Sequence, residues 1–317
     1  MSLEPFLTRR FRYWTALRAT PYIYTYGMRR RFRTYPQAHR ALEGVQNPEM
    51  KRTAHDVYCA MFLRAYHQAT KMRLNPLTGL AVTLFTAFMY ALDDEYETRQ
   101  LRTQEPTDLR SVMSGAGVSE VWEALRRYCS EAGCWEAVRR EIIDNFLDRW
   151  FEDYRKHVET LRRSEGGLDS ALALVEIDSG HSLRCAYRVI RAFNGHEHDS
   201  ACEEQFGVMG VGGKFMDDLS DFREDVMAGA PNLLWSFLAE EPRERNIADA
   251  AVTGADLLTP AWWRTNCPMT YRRYSEAIIH YRRRVVVPGL VLTLDLFLAL
   301  LGTDRFWRTS TVRTRGG

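Results

Sequence analysis

The chain has 317 residues, 45% of them apolar, with 43 Lys and Arg against 41 Asp and Glu for a net charge of +2. That near balance argues against nucleic acid as the main partner, while an excess of Arg over Lys suits bidentate phosphate recognition. No Pro/Gly/Ser-rich linker or composition shift divides the chain, so one large domain over 1–317 is expected, able to bury a sizeable core.

At the N-terminus there is no continuous apolar stretch with a small-residue cleavage site, so no export is expected. The basic, aromatic stretch from Arg9 to Arg33 reads either as a face that closes over a phosphate site or as a contact with an anionic membrane surface. Apolar residues then recur at helical spacing almost everywhere and strand alternation is nearly absent, which predicts an all-α fold. The expected helices lie near 48–71, 77–98, 118–130, 135–163, 168–193, 199–227, 231–239, 243–252, 268–284 and 289–301. Breaks are marked by Asn75-Pro76, Glu105-Pro-Thr-Asp108, Gly166-Gly167, Asn194-Gly195, Gly229-Ala-Pro231 and Cys267-Pro268.

Two apolar runs could be weighed as membrane spans. Leu77 to Leu92 is shorter than the roughly 18 to 20 residues a span needs, and Val285 to Leu301 is interrupted by Pro288, Gly289 and Asp295, so both read as core helices and no transmembrane segment is expected. The six cysteines, Cys59, Cys129, Cys134, Cys185, Cys202 and Cys267, form no CxxC pair and read as small apolar fillers in a reducing cytoplasm. His196-Glu197-His198 has i, i+2 spacing, which turns the imidazoles to different sides, and reads as a solvated loop. Asp144, Asp148 and Asp153 read as the exposed face of a long helix. Zinc-hydrolase, serine-hydrolase, P-loop and dinucleotide fingerprints are all missing.

Two acidic segments carry the chemistry. The run Leu77 to Leu92 is apolar on every side of a helix, which predicts a helix surrounded by protein. It leads directly into Asp93-Asp94-Glu95-Tyr96-Glu97, and burying carboxylates costs several kcal/mol unless a cation or a full donor set offsets it. Asp93, Asp94 and Glu97 fall on or near one face, with Phe85, Phe88 and Met89 one to two turns deeper and Tyr90 beside them. A DDxxE magnesium site at the mouth of an apolar cavity is one reading; an acidic helix end balanced by Arg99 and Arg102 is the other. Further on, Asp217-Asp-Leu-Ser-Asp221-Phe-Arg-Glu-Asp225 places Asp217, Asp221 and Asp225 at i, i+4 and i+8 in one row. Like charges so spaced repel, so the row is more readily explained if divalent cations bind it. Phe215, Leu219, Phe222 and Val226 form the opposite face, as they would in an ordinary amphipathic helix. Lys214, Gly213 and Gly210 upstream add a cation suited to phosphate and residues small enough to leave room.

An apolar helix ending in DDxxE, followed some 120 residues later by D-x3-D-x3-D in an all-helical chain, resembles the class I isoprenoid synthases. The second segment is similar to their NDxxSxxxE motif. It is closer still to the second motif of the bacterial tetraprenyl-β-curcumene synthase-like large terpene synthases, D-Y-F-I-D-Q-x-E-D-R-x-x-G-x-L-N, matched here by Asp217, Asp221, Glu224, Asp225, Gly229 and Asn232. Tyr35-Pro-Gln-Ala-His-Arg40 and Asn47-Pro-Glu-Met-Lys-Arg-Thr-Ala54 are similar to that family's N-terminal stretches. The family's first motif is nearer D-Y-L-D-N, with its first acid where Ala91 falls, and its His-Cys-Glu-Gly-Gly stretch has no counterpart near Ala65 to Ala69.

The resemblance implies a single-domain helical bundle of the class I isoprenoid synthase type around a central apolar cavity. It implies three Mg²⁺ ions, held by Asp93, Asp94, Glu97, Asp217, Asp221 and Asp225, and a linear prenyl diphosphate of C15 to C25, with geranylgeranyl diphosphate favoured, cyclised with release of diphosphate. By position, Arg184 and Arg188 after the Asp178-Ser-Gly180 helix break are implied as diphosphate sensors. Lys214, Arg272, Arg273 and Tyr274 are implied at the diphosphate as well, with Phe85, Phe88, Met89 and Trp235 as pocket aromatics or fillers that steady carbocations. A surface ion pair is the competing reading for each arginine, and plain core packing for each aromatic. Rival functions are a prenyltransferase, of squalene/phytoene-synthase or chain-elongating type, and a non-catalytic, membrane-associated helical protein. Homodimerisation is left open.

Overall fold

A computed structural model describes residues 62–75, 77–103, 108–162, 167–254, 258–291 and 294–295, without the side chains of 94, 97, 100–103, 159–162, 220 and 228. The stretches 9–33 and 35–54, Cys59, and most of the expected helix 289–301 lie outside the described residues. Every regular element among the described residues is helical, as the periodicity predicts, and none is a strand. No described helix is long and apolar enough to cross a membrane.

A helical segment over 62–70 precedes α1 (Thr78–Thr103), α2 (Leu109–Met113), α3 (Ala116–Glu131) and α4 (Trp135–Ile142). A π turn at Ile143–Leu147 joins α4 to α5 (Asp148–Arg162), so the helix expected over 135–163 is continuous but bulged. The helix expected over 168–193 is likewise α6 (Leu168–Val175), a π turn at Glu176–Gly180, and α7 (His181–Asn194). Then follow α8 (Ser200–Ser220), α9 (Phe222–Ala228), α10 (Leu233–Leu238), α11 (Pro242–Thr253), α12 (Pro260–Asn266) and α13 (Pro268–Arg284). Two short helices lie where loops were expected. Asp108 caps α2, its carboxylate accepting the Ser111 N–H at 2.6 Å, and Thr259 caps α12 ahead of Pro260 at the first helical position.

The chain forms two compact units. The first comprises the described residues up to Phe151 together with Arg184–Glu203. Its central element is α1, where Leu80, Val82, Leu84, Phe85, Phe88 and Leu92 are all buried, so the helix is enclosed on every side as its composition demands. Phe88 packs on Trp122 of α3 with ring centroids 4.9 Å apart, and Trp122 meets Trp135 edge-on at 5.1 Å. The entry to α1 is held by Asn194, whose Oδ1 accepts the Asn75 N–H at 2.6 Å and the Thr78 hydroxyl at 3.1 Å. Two partly buried ion pairs, Arg191 with Glu141 and Arg188 with Glu203, tie α7 to α4 and to α8. His196 belongs to this packing rather than to solvent, because its Nδ1 is 3.0 Å from the Tyr66 hydroxyl and the two rings stack. Asp144, Asp148 and Asp153 are exposed, as expected.

The second unit comprises Glu152–Leu183 and the described residues from Glu204 onward. Its core gathers Phe215, Leu219 and Phe222 with Leu234 and Phe237 of α10, Trp263 of α12, and Tyr271, Tyr274 and Ile278 of α13. Phe222 meets Trp263 edge-on at 4.8 Å, and Phe215 lies 5.0 Å from Tyr274. The apolar face expected opposite the acidic row is therefore the side on which α8 and α9 are seated.

Candidate functional site

The second acidic segment does not run along one unbroken helix. α8 ends at Ser220, Asp221 takes φ −99° and ψ 8°, and α9 begins at Phe222. The i to i−4 bonds nevertheless bridge the kink, Asp221 N–H to the Asp217 carbonyl at 2.9 Å and Asp225 N–H to the Asp221 carbonyl at 3.0 Å. The row survives because those bonds hold the helical register. α9 then closes on Gly229, whose φ of 68° favours glycine, with the Ala230 N–H donating to the Asp225 carbonyl at 2.8 Å.

The carboxylates crowd one another. Partial burial, then the charges of Asp217, Asp225 and Glu224, push Asp221 up to about 6. Asp225 is raised by burial, against the bond it accepts from Asn232. Lys214 sits among these acids, its Nζ 3.0 Å from Asp217 Oδ2 and 3.0 Å from Asp218 Oδ1. Burial works against its charge, but Asp218, Asp217 and Asp178 outweigh it and hold the ammonium protonated well above the usual lysine range.

Two acids outside the expected row belong to the cluster. Asp218 is 1% exposed; its Oδ2 accepts the Leu233 N–H at 2.6 Å, and burial pushes it up to about 6 despite Lys214. Asp178, in the π turn, is raised by burial against the opposing pull of Lys214 and of the Ser179 hydroxyl, 3.1 Å away. That turn reaches α8 through Gly210, where an added Cβ would stand 2.1 Å from the Ser179 carbonyl oxygen. Gly210 therefore seats backbone against backbone instead of leaving room, and of the two expected to leave room only Gly213 has open space beside it. Beneath the cluster, Asn232 donates through Nδ2 to the Asp218 carbonyl and to Asp225 Oδ2, both at 2.8 Å, and caps α10 through Oδ1.

The other expected site residues are placed as follows. Asp93 is half-buried on α1, and the side chains of Asp94 and Glu97 lie outside the described residues. Glu95, beside them, pairs with Arg99 at 2.6 Å, as the balanced-helix reading expects for that arginine. Phe85 and Phe88 are buried in packing, Met89 and Tyr90 are half-buried, and Trp235 is stacked by Arg245 at 5.0 Å and packed on Phe222. Arg184 is half-buried on α7, in the first unit. Arg188 is engaged by Glu203 and by the Asn145 carbonyl. Arg272 makes an exposed pair with Glu276, and Arg273 pairs with Glu240 and Glu241. Tyr274 is buried under the cluster with its hydroxyl donating to the Phe215 carbonyl at 2.6 Å. Arg272 and Arg273 thus sit in the surface ion pairs of the competing reading, while the pair of Arg188 is partly buried.

The donor set along the row consists of hard carboxylate oxygens whose mutual repulsion Lys214 offsets only in part, which suits Mg²⁺. Among the described residues, no three His, Cys, Asp or Glu side chains converge to enclose an ion by themselves. Mg²⁺ is commonly held by one or two carboxylates, with waters and phosphate oxygens completing its octahedron, so a spread row fits an ion shared with a phosphate ligand better than an all-protein cage. No protein-family model, curated protein or solved structure matches the chain.

Proposed function

We propose that the chain is a Mg²⁺-dependent enzyme of the class I isoprenoid type, a terpene cyclase that ionises a linear prenyl diphosphate of C15 to C25. The observation that carries this reading is the row Asp217, Asp221 and Asp225 held in helical register, with Lys214 Nζ 3.0 Å from Asp217 and with burial, then the neighbouring acids, raising Asp221 to about 6. Asp217, Asp221 and Asp225 would hold the metal, which supplies charge neutralisation of the departing diphosphate. Lys214 Nζ, already oriented by Asp217 and Asp218, contributes a fixed positive charge that a phosphate oxygen can share. Asn232 fixes the carboxylate of Asp225 and so aims one member of the row. The resemblance also expects metal ligands at Asp93, Asp94 and Glu97 of α1, in the first unit.

The test is incubation of the purified chain with C10 to C25 prenyl diphosphates and Mg²⁺, followed by product analysis. A cyclic hydrocarbon or terpene alcohol with equimolar diphosphate is the expected result. Longer diphosphates would make the chain a transferase, and a folded protein inert to all of them would overturn the proposal. Asp217→Ala and Asp221→Ala should each lower turnover at least about a hundredfold while leaving helicity unchanged, since both side chains are exposed and carry no core packing.

A further inference from the structure

The turn between α3 and α4 carries two cysteines whose placement is set by the backbone. α3 ends at Glu131, Ala132 caps it, and Gly133 takes a φ of 71°. The Gly133 N–H donates to the Ser130 carbonyl at 3.0 Å and the Cys134 N–H to the Cys129 carbonyl at 2.9 Å. These are the two bonds of a Schellman turn, in which the side chain after the glycine folds back on the side chain of the last helical turn. Such contacts are ordinarily hydrophobic, but here both partners are thiols. Cys134 Sγ lies 3.5 Å from the Cys129 carbonyl oxygen, so its side chain is folded back onto Cys129. Cys129 is fully buried, and Cys134 is half-buried and so open to reagent. Cys185 and Cys267 likewise direct their thiols at backbone carbonyls, but at those of distant residues, Glu141 and Glu244.

We infer that Cys129 and Cys134 are a dithiol site that closes to a disulfide across the α3–α4 turn, with a small-molecule disulfide as the oxidant. Cys134, as thiolate, attacks the reagent's S–S bond, forming a mixed disulfide and expelling one thiolate. Cys129 then loses its proton and attacks Cys134 Sγ, expelling the second. One S–S bond forms in the chain and one breaks in the reagent; two electrons pass to the reagent, and two protons end on the released thiols. The geometry favours the second step because the turn folds the Cys134 side chain back onto Cys129. Burial pushes both thiols up, so the exchange is slow and is read at equilibrium.

The experiment equilibrates the full chain with mixtures of oxidised and reduced glutathione, blocks free thiols, and digests with trypsin. Both cysteines fall in the peptide Tyr128–Arg139, which contains no others. The expected product is that peptide, unalkylated and lighter by two hydrogen atoms, with an equilibrium constant for closure at least about tenfold higher in the native chain than in denaturant. Cys129→Ser should stop at a glutathione adduct on Cys134, and Cys134→Ser should leave Cys129 unmodified. A stable adduct on Cys134 in the unaltered chain, pairing of either thiol with another cysteine, or a closure constant no higher than in denaturant would each overturn the inference.

Discussion

Asn232 makes four hydrogen bonds from one buried side chain, two that cap α10 and two that reach the Asp218 carbonyl and Asp225. Asn232→Ala removes the cap and strands buried partners, so it should cost about 2 to 4 kcal/mol of stability, measured by urea unfolding. Asp221 behaves in the opposite sense. Its folded value of about 6 lies above the 3.8 of a free carboxyl, so the folded state binds the extra proton and stability falls as pH rises from about 4 to 6. Asp221→Asn should therefore gain stability relative to the unaltered chain over that window, seen in paired unfolding curves at pH 4 and pH 7, even as turnover is lost. The acidic row was legible because repulsion at i, i+4 spacing is a property of sequence. Asp218 was also signalled, since it lies three residues after Phe215 and four before Phe222 on the apolar face, but pairing it with Asp217 hid that position. Asn232 could be matched to a motif, yet which atoms it bonds depends on how α10 docks.

The seat of α8 on the π turn depends on Gly210, where the approaching atom is a backbone carbonyl that cannot swing aside. Gly210→Ala should cost about 3 kcal/mol or more and displace Asp178 from Lys214; thermal unfolding measures the first effect, and a lowered affinity for inorganic diphosphate with Mg²⁺ the second. Helix existence was legible throughout, from apolar spacing. The π turns at Ile143–Leu147 and Glu176–Gly180 were not, because one inserted residue per turn alters hydrogen-bond register without altering composition. The kink at Asp221 was hidden for a different reason, since a local change of torsion that keeps the i to i−4 bonds leaves the spacing of the acids unchanged. α12 was signalled by Thr259-Pro260, a cap followed by a residue preorganised for the first turn, but its seven residues are too few to show periodicity.

For the chain as a whole, the proposed chemistry has a thermodynamic signature independent of turnover. Mg²⁺ with inorganic diphosphate should raise the unfolding temperature more than either alone, approaching about 2.7 kcal/mol when the ligands stand a hundredfold above their dissociation constant. Equal shifts with and without the metal would separate phosphate binding by Lys214 from metal binding by the row. The position of Lys214 has a further kinetic consequence. Among the described residues, the Lys214 ammonium is set against Asp178, Asp217, Asp218, Asp221 and Asp225, so the acids outnumber it and the metal-free cluster presents a negative field to an incoming anion. Encounter with a pyrophosphate is then slow before cation loading and fast after it, so raising ionic strength speeds capture by the metal-free protein and slows capture by the loaded one.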